Sequence, residues 1–131
     1  MKGFGEENKS KTKSNQKIKA SKQQLINQAI KYHSQGNISE AAKYYQYLIN
    51  QGLNDYRVFL NYGAILQSLG KLKDAAISTR KAIKIKPDYA EAQINLGNIL
   101  KSLGKLEDAK LHYRKAIEIK PDLTIAYFSL S

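Results

Sequence analysis

Apolar residues recur at every third or fourth position from about residue 22 to residue 123, which is the spacing of amphipathic helices. Three evenly spaced glycines, Gly36, Gly70 and Gly104, interrupt this pattern. A glycine just past a helix end closes the last turn with a positive φ, which it adopts without strain. Two helices are therefore predicted around each of these glycines, one on either side of the glycine turn.

The same part of the chain is an internal repeat whose units are residues 22–55, 56–89 and 90–123. When the second unit is laid over the third without gaps, 19 of the 34 positions are identical. The first unit aligns more weakly but keeps the same skeleton of asparagine, glycine, alanine and tyrosine. Because one helix pair of this size cannot bury its apolar face alone, successive pairs must stack on a shared core. The sequence predicts an all-α solenoid.

Prolines and acidic residues predict where each unit ends. Pro87 and Pro121 prevent the second helix of a unit from continuing. Asp88 and Asp122 follow them and are predicted to cap the next helix. Glu91 stands three residues after Asp88, which completes the charge and spacing of a capping box.

Small residues predict where the two helices of a unit touch. Gly63 is expected to lie against Ala75, and Gly97 against Ala109, so that the helix backbones approach closely there. A large side chain in place of Gly97 is expected to open that contact.

These repeats resemble the tetratricopeptide repeat over about 102 of the 131 residues. The resemblance implies a right-handed superhelix of three helix-turn-helix repeats, a fold that binds other proteins. Thr79 and Gln93 depart from the family, which usually has large apolar residues at those positions. The signature residues that carry the resemblance are Gly63, Gly70, Ala75, Pro87, Gly97, Gly104, Ala109 and Pro121.

The repeat boundaries divide the chain into five predicted segments. They are a disordered lysine-rich arm (1–21), a divergent first repeat (22–55), two regular repeats (56–89 and 90–123) and the start of a truncated fourth (124–131). Residues 1–24 contain seven lysines and almost no apolar side chains, so they cannot build a core. The fourth unit would expose Tyr127, Phe128 and Leu130. This predicts either a longer native chain or self-association through that end.

Three asparagines, Asn27, Asn61 and Asn95, each occupy the sixth position of the first helix of a unit. In the family the first helices line a concave groove, and this row resembles the asparagine ladder of O-GlcNAc transferases, which grips the backbone of a partner. An amide both donates and accepts, so it can pair with any peptide group. The alternative is a set of solvated polar positions inherited by duplication. Further predicted groove residues are polar: His33, Gln67, Asn98 and Lys101.

The resemblance thus predicts a non-catalytic scaffold that binds an extended peptide of unknown identity. Its alternative is the substrate-recruiting arm of a larger glycosyltransferase or sulfotransferase. Relatives that clamp the terminal carboxylate of chaperones use lysine, asparagine and arginine, each at its own set groove position. Four of the five positions compared hold Ile26, Ile30, Glu91 and Asn95, and Asn61 alone fits. A chaperone clamp is therefore not predicted.

Composition narrows the chemistry further. The chain has no cysteine and two histidines, so we expect neither a disulfide framework nor a metal site, and no cofactor. His33 and His112 are interpreted as surface residues, and Asp108 and His112 have the spacing of an ion pair on one helix face. No nucleophile, base and oxyanion donor converge, which predicts no catalytic residue.

The net charge indicates which partners to expect, and the hydropathy indicates whether the chain crosses a membrane. The net charge is +11, which favours acidic partners, while the lysine arm predicts at most nonspecific adhesion to nucleic acid because it lacks stacking aromatics. No apolar run reaches the roughly 18 residues of a membrane span, and the basic start lacks the apolar centre of a signal peptide. A soluble, cytoplasmic protein is expected.

Overall fold

The computed structural model describes residues 21–122, and within them it contains six helices and no strand. Helix α1 covers residues 21–34, and it is followed by α2 (Ile38–Asn50), α3 (Tyr56–Ser68), α4 (Leu72–Ile85), α5 (Ala90–Ser102) and α6 (Leu106–Ile119). The predicted all-α fold is confirmed. Residues 1–20 of the predicted arm and the predicted fourth unit at 124–131 lie outside the described residues.

The described residues divide into two compact units, with the division between Leu48 and Ile49. In the first unit, α1 and the start of α2 form a hairpin that turns at Gly36, where φ is 78°. The rings of Tyr32 and Tyr44 lie 5.5 Å apart across this hairpin. Spacings of three, four and seven residues bring the buried side chains of each helix to one face: Ile26, Ala29, Ala41, Tyr45 and Leu48.

The second unit contains two helix pairs, α3 with α4 and α5 with α6, and α4 packs against α5. Its main core lies around α5 and α6, where Leu96, Ile99, Leu100 and Tyr113 are at most 1% exposed. A smaller cluster joins the start of α3 to the end of α4 and the start of α5: Phe59, Leu60, Ala82 and Ala92. Successive pairs therefore share apolar surface, as one pair alone could not bury it.

The turns follow the glycines, but one predicted cap is wrong. Gly70 and Gly104 follow α3 and α5 with φ of 76° and 80°, as predicted. Asp88, however, does not cap α5: the residue at the cap position is Tyr89, and no side chain accepts a hydrogen bond there. Glu91 instead accepts a hydrogen bond of 2.9 Å from the Tyr89 hydroxyl. The cap role of Asp122 concerns a segment outside the described residues.

The closest approach between paired helices occurs at Gly63 and Gly97. A Cβ added at Gly63 would lie 2.6 Å from Thr79 Oγ1 and 3.3 Å from the Ala75 carbonyl oxygen, so the predicted neighbour Ala75 is present. A Cβ added at Gly97 would lie 2.5 Å from Tyr113 Cε1. The nearest group to Gly97 is thus the tyrosine ring and not the predicted Ala109.

We expect Gly97→Ala to destabilise the fold. The Tyr113 ring is 1% exposed and has no free space to move into. Overpacking a core costs about 1–3 kcal/mol, whereas alanine for glycine in a helix gains about 1 kcal/mol. The net result should be a loss of about 1 kcal/mol in the free energy of unfolding, measured by urea denaturation. Ser102→Ala, at an exposed site of the same helix, is the control, and a stabilised Gly97→Ala variant would contradict the packing argument.

Candidate functional site

Asn61 and Asn95 lie on the outer faces of α3 and α5. With 3.6 residues per turn, Asn61 points away from the side of α3 that carries the buried Phe59 and Leu66. Asn95 has the same position in α5, and both side chains are half-buried. Because α3 and α5 contact each other, the two amides lie on neighbouring helices of the second unit. We call the surface around these two amides the amide face; it includes Asn98, whereas Gln67 and Lys101 lie about 120° round the same helices.

Asn98 connects the amide face to the core. It lies three residues after Asn95 on α5, and its Oδ1 accepts a hydrogen bond of 2.5 Å from the Tyr113 hydroxyl. The same side chain is half-buried at the surface. Gln67 is half-buried on α3, and Lys101 is exposed on α5. The structure therefore brings five of the seven predicted groove residues onto these two helices.

The other two predicted groove residues belong to the first unit. Asn27 is exposed on α1, and its Oδ1 accepts a hydrogen bond of 3.1 Å from Gln23 Nε2. His33 is half-buried, and its ring meets that of Tyr45 edge-on at 6.3 Å between centroids. A row of three asparagines stays a prediction.

Two charged residues beside these asparagines were not among the predicted binding residues of the groove. Arg57 and Glu91 each lie four residues, about one helical turn, before the asparagine of their helix. The guanidinium of Arg57 forms an ion pair of 2.9 Å with Asp55, which lowers the pKa of Asp55 and raises that of Arg57. A spacing of four residues places each charged residue on the same side of its helix as the asparagine, and this spacing is the signal in the sequence that indicates them.

An aromatic and cationic cluster fixes the starts of α3 and α5 next to each other. The rings of Tyr56 and Tyr89 meet edge-on at 5.4 Å, and Lys86 Nζ lies 4.7 and 5.3 Å from their centroids. Burial, together with the hydrogen bond to Glu91, raises the pKa of Tyr89 to about 12. These contacts position the first turns of both helices, and with them Arg57 and Glu91.

His112 is not the ordinary surface residue that the sequence predicted. Its ring is half-buried, and Nδ1 donates a hydrogen bond of 2.8 Å to Oε1 of Gln93, which is 5% exposed. Burial and the positive charges of Lys115 and Arg80 lower the pKa of His112, against the opposing effect of Asp108. The predicted ion pair with Asp108 does not form among the described residues.

Two further findings concern the described part of the chain. No three side chains of histidine, cysteine, aspartate or glutamate in residues 21–122 come together in a group that could hold a metal ion. Over the same residues, no helix combines the length and the apolar character needed to cross a bilayer.

Paired helices that recur at a constant interval define an α-helical repeat protein. The sequence profile of the tetratricopeptide repeat matches residues 56–89 and, in a second version, residues 90–123. The two matches together cover more than half of the 131 residues. The chain belongs to the tetratricopeptide-repeat family.

Solved structures of this fold superpose well at low sequence identity. The crystal structure of MamA gives a TM-score of 0.81 at 22% identity over 91% of this chain and 70% of MamA. The first TPR of Spaghetti (RPAP3), bound to the HSP90 peptide SRMEEVD, gives 0.78 at 25% identity over 83% and 86%. O-GlcNAc transferase from Thermobaculum terrenum gives 0.78 at 22% identity over 85% of this chain and 21% of the transferase. No curated protein sequence matches the chain.

The lowered pKa of His112 predicts a pH dependence of stability. Between the lowered pKa and the ordinary value of 6.5, the unfolded chain binds a proton that the folded chain does not. The free energy of unfolding should therefore fall as the pH drops below about 6.5. His112→Gln should reduce this slope in urea denaturation measured from about pH 7.5 to about pH 5.5. His33→Gln is the control, and an unchanged slope in His112→Gln would contradict the assignment.

Proposed function

We propose that the chain is a scaffold that binds an extended peptide segment of a partner protein along the amide face. The observation that carries this proposal is the placement of Asn61 and Asn95 on neighbouring helices, half-buried and facing outward. Within residues 21–122, neither side chain has a hydrogen-bond partner. Two aligned amides that are free to pair are suited to the peptide groups of an extended chain.

Dimensions support this mode of binding. Packed helices lie about 8–10 Å apart, which is close to the length of three extended residues at about 3.3 Å each. Successive asparagines can therefore contact every third residue of the ligand. Because they pair with the backbone, the ligand side chains at those residues are left unrestricted.

Selectivity then comes from the charged groups beside the asparagines. Arg57 precedes Asn61 by one turn, and Glu91 precedes Asn95 by one turn, so opposite charges flank the two amides. Lys101 adds a positive charge near the end of α5. Because Asp55 already pairs with Arg57, we expect selectivity to come mainly from Glu91 and Lys101, which favour a basic and an acidic ligand residue, respectively.

The relatives support peptide binding as a class of function. The RPAP3 domain holds an acidic peptide, SRMEEVD. We do not extend that ligand to this chain, because Glu91 and Asn95 stand at two positions where the family's carboxylate clamp has other residues. A recruiting arm of a transferase would use the same amide face, so the experiment below applies to both hypotheses.

Substitution of both asparagines should abolish most of the peptide affinity. Ligands are first selected for the wild-type chain from an array of random peptides, and their dissociation constants are measured by fluorescence anisotropy. Each lost hydrogen bond costs about 0.5–1.5 kcal/mol, so Asn61→Ala with Asn95→Ala should weaken binding about tenfold. Asn50→Ala, at an exposed asparagine near the end of α2, is the matched control.

Modification of the ligand tests whether the backbone is what the asparagines bind. N-methylation of the peptide groups at every third residue should weaken binding, while alanine substitution at the same residues should not. Equal affinity of the double asparagine variant and the wild type would exclude the amide face as the binding site.

A further inference from the structure

A cavity of about 260 Å³ lies in the second unit on the side of α3 that faces away from Asn61. This volume is below the roughly 300–1,000 Å³ of small-molecule sites and suits one or two side chains. The lining residues are mainly apolar with charged groups among them: Ile49, Phe59, Tyr62, Leu66, Lys71, Asp74, Ile77, Ser78 and Lys81. We call it the α3–α4 cavity.

The α3–α4 cavity has a buried floor and an exposed rim. Phe59, Leu66 and Ser78 are 5–8% exposed and form the floor. Ile77 is 53% exposed, although it is a large apolar side chain, and Lys81 lies one helical turn further along α4. An apolar ligand group that enters here would cover Ile77 and contact the floor.

The repeat explains why this space is open. Ser78 corresponds to His112, and Phe59 corresponds to Gln93, in the next repeat. There, the imidazole reaches across to the Gln93 side chain at 2.8 Å. In the α3–α4 pair, the small Ser78 side chain instead donates a hydrogen bond of 2.7 Å to the Phe59 carbonyl oxygen. The cavity is therefore lined by a small serine at the position where the next repeat has the larger imidazole.

The charges around the α3–α4 cavity favour an acidic ligand. Lys71 and Lys81 are exposed, and neither forms an ion pair with the described residues. Lys81 Nζ lies 5.7 Å from the centroid of the Phe59 ring, directly beside the floor. Lys84 extends the positive surface into a neighbouring cavity that also contains Phe59 and Lys81. Asp74 is the one acidic residue of the lining.

We propose that the α3–α4 cavity is a second binding site, which takes one large apolar side chain of an acidic peptide segment. The apolar side chain contacts Phe59, Leu66 and Ile77, and carboxylates on either side of it pair with Lys71 and Lys81. The site shares no residue with the amide face and does not depend on the function proposed for that face.

The test uses the full chain and a fluorescein-labelled peptide with one central phenylalanine among aspartate and glutamate residues. Anisotropy should show saturable binding, and alanine for the phenylalanine should weaken it about tenfold, because burial of an aromatic side chain is the main gain. Ile77→Ser should weaken it about threefold and Lys81→Glu about fivefold or more. Asp74→Asn should strengthen binding about twofold, since it removes a like charge.

The next repeat supplies matched controls at exposed positions. Leu111→Ser, Lys115→Glu and Asp108→Asn make the same three substitutions at the equivalent positions of that repeat and should leave the affinity unchanged. Asn61→Ala with Asn95→Ala should also leave it unchanged, which separates this site from the amide face. Lack of saturable binding, equal effects in both repeats, or amide chemical-shift changes centred on Asn61 and Asn95 would overturn the proposal.

Discussion

The contact between the Gly97 backbone and the Tyr113 ring sets the spacing of α5 and α6. Without a side chain at Gly97, the buried ring lies directly against the neighbouring helix. At the equivalent place in the α3–α4 pair, Gly63 meets Thr79, whose hydroxyl donates to the Ala75 carbonyl oxygen at 2.8 Å. Because each pair is fixed on its inner side, the orientation of its outer residues is fixed as well.

This packing explains a difference between the two outer faces. The Tyr113 ring is long enough for its hydroxyl to reach Asn98 on the surface of α5. Thr79 is shorter, and the residue of α3 that corresponds to Asn98 is Ala64. An asparagine thus accompanies the tyrosine, and an alanine accompanies the threonine. In these two helix pairs, the tyrosine occurs with a surface amide that is hydrogen-bonded to the core, and the threonine occurs without one.

The period of the sequence was sufficient to predict the helices, the glycine turns and the position of Asn61 and Asn95, because these follow from local backbone geometry. The spacing of apolar residues does not indicate which residues far apart in the sequence contact each other. Asp88 failed as a cap because α5 begins at Ala90, which puts Tyr89 at the cap position, and the Tyr89 ring packs with Tyr56 and Lys86. His112 was misjudged because its partner, Gln93, is 19 residues away on another helix.

The two sides of α3 differ in how closely their residues match those of the next repeat. Asn61 and Asn95 are identical in the two regular repeats, whereas the cavity floor has Phe59 and Ser78 in one repeat and the next has Gln93 and His112 at those positions. If Asn61 and Asn95 pair with a ligand backbone as proposed, a shift of the ligand by one repeat restores the same contacts, so these asparagines alone do not fix its register. A single cavity that takes one apolar side chain has only one register. For a partner that bound both sites, the amide face would therefore supply affinity, and the α3–α4 cavity would fix the register of the bound segment.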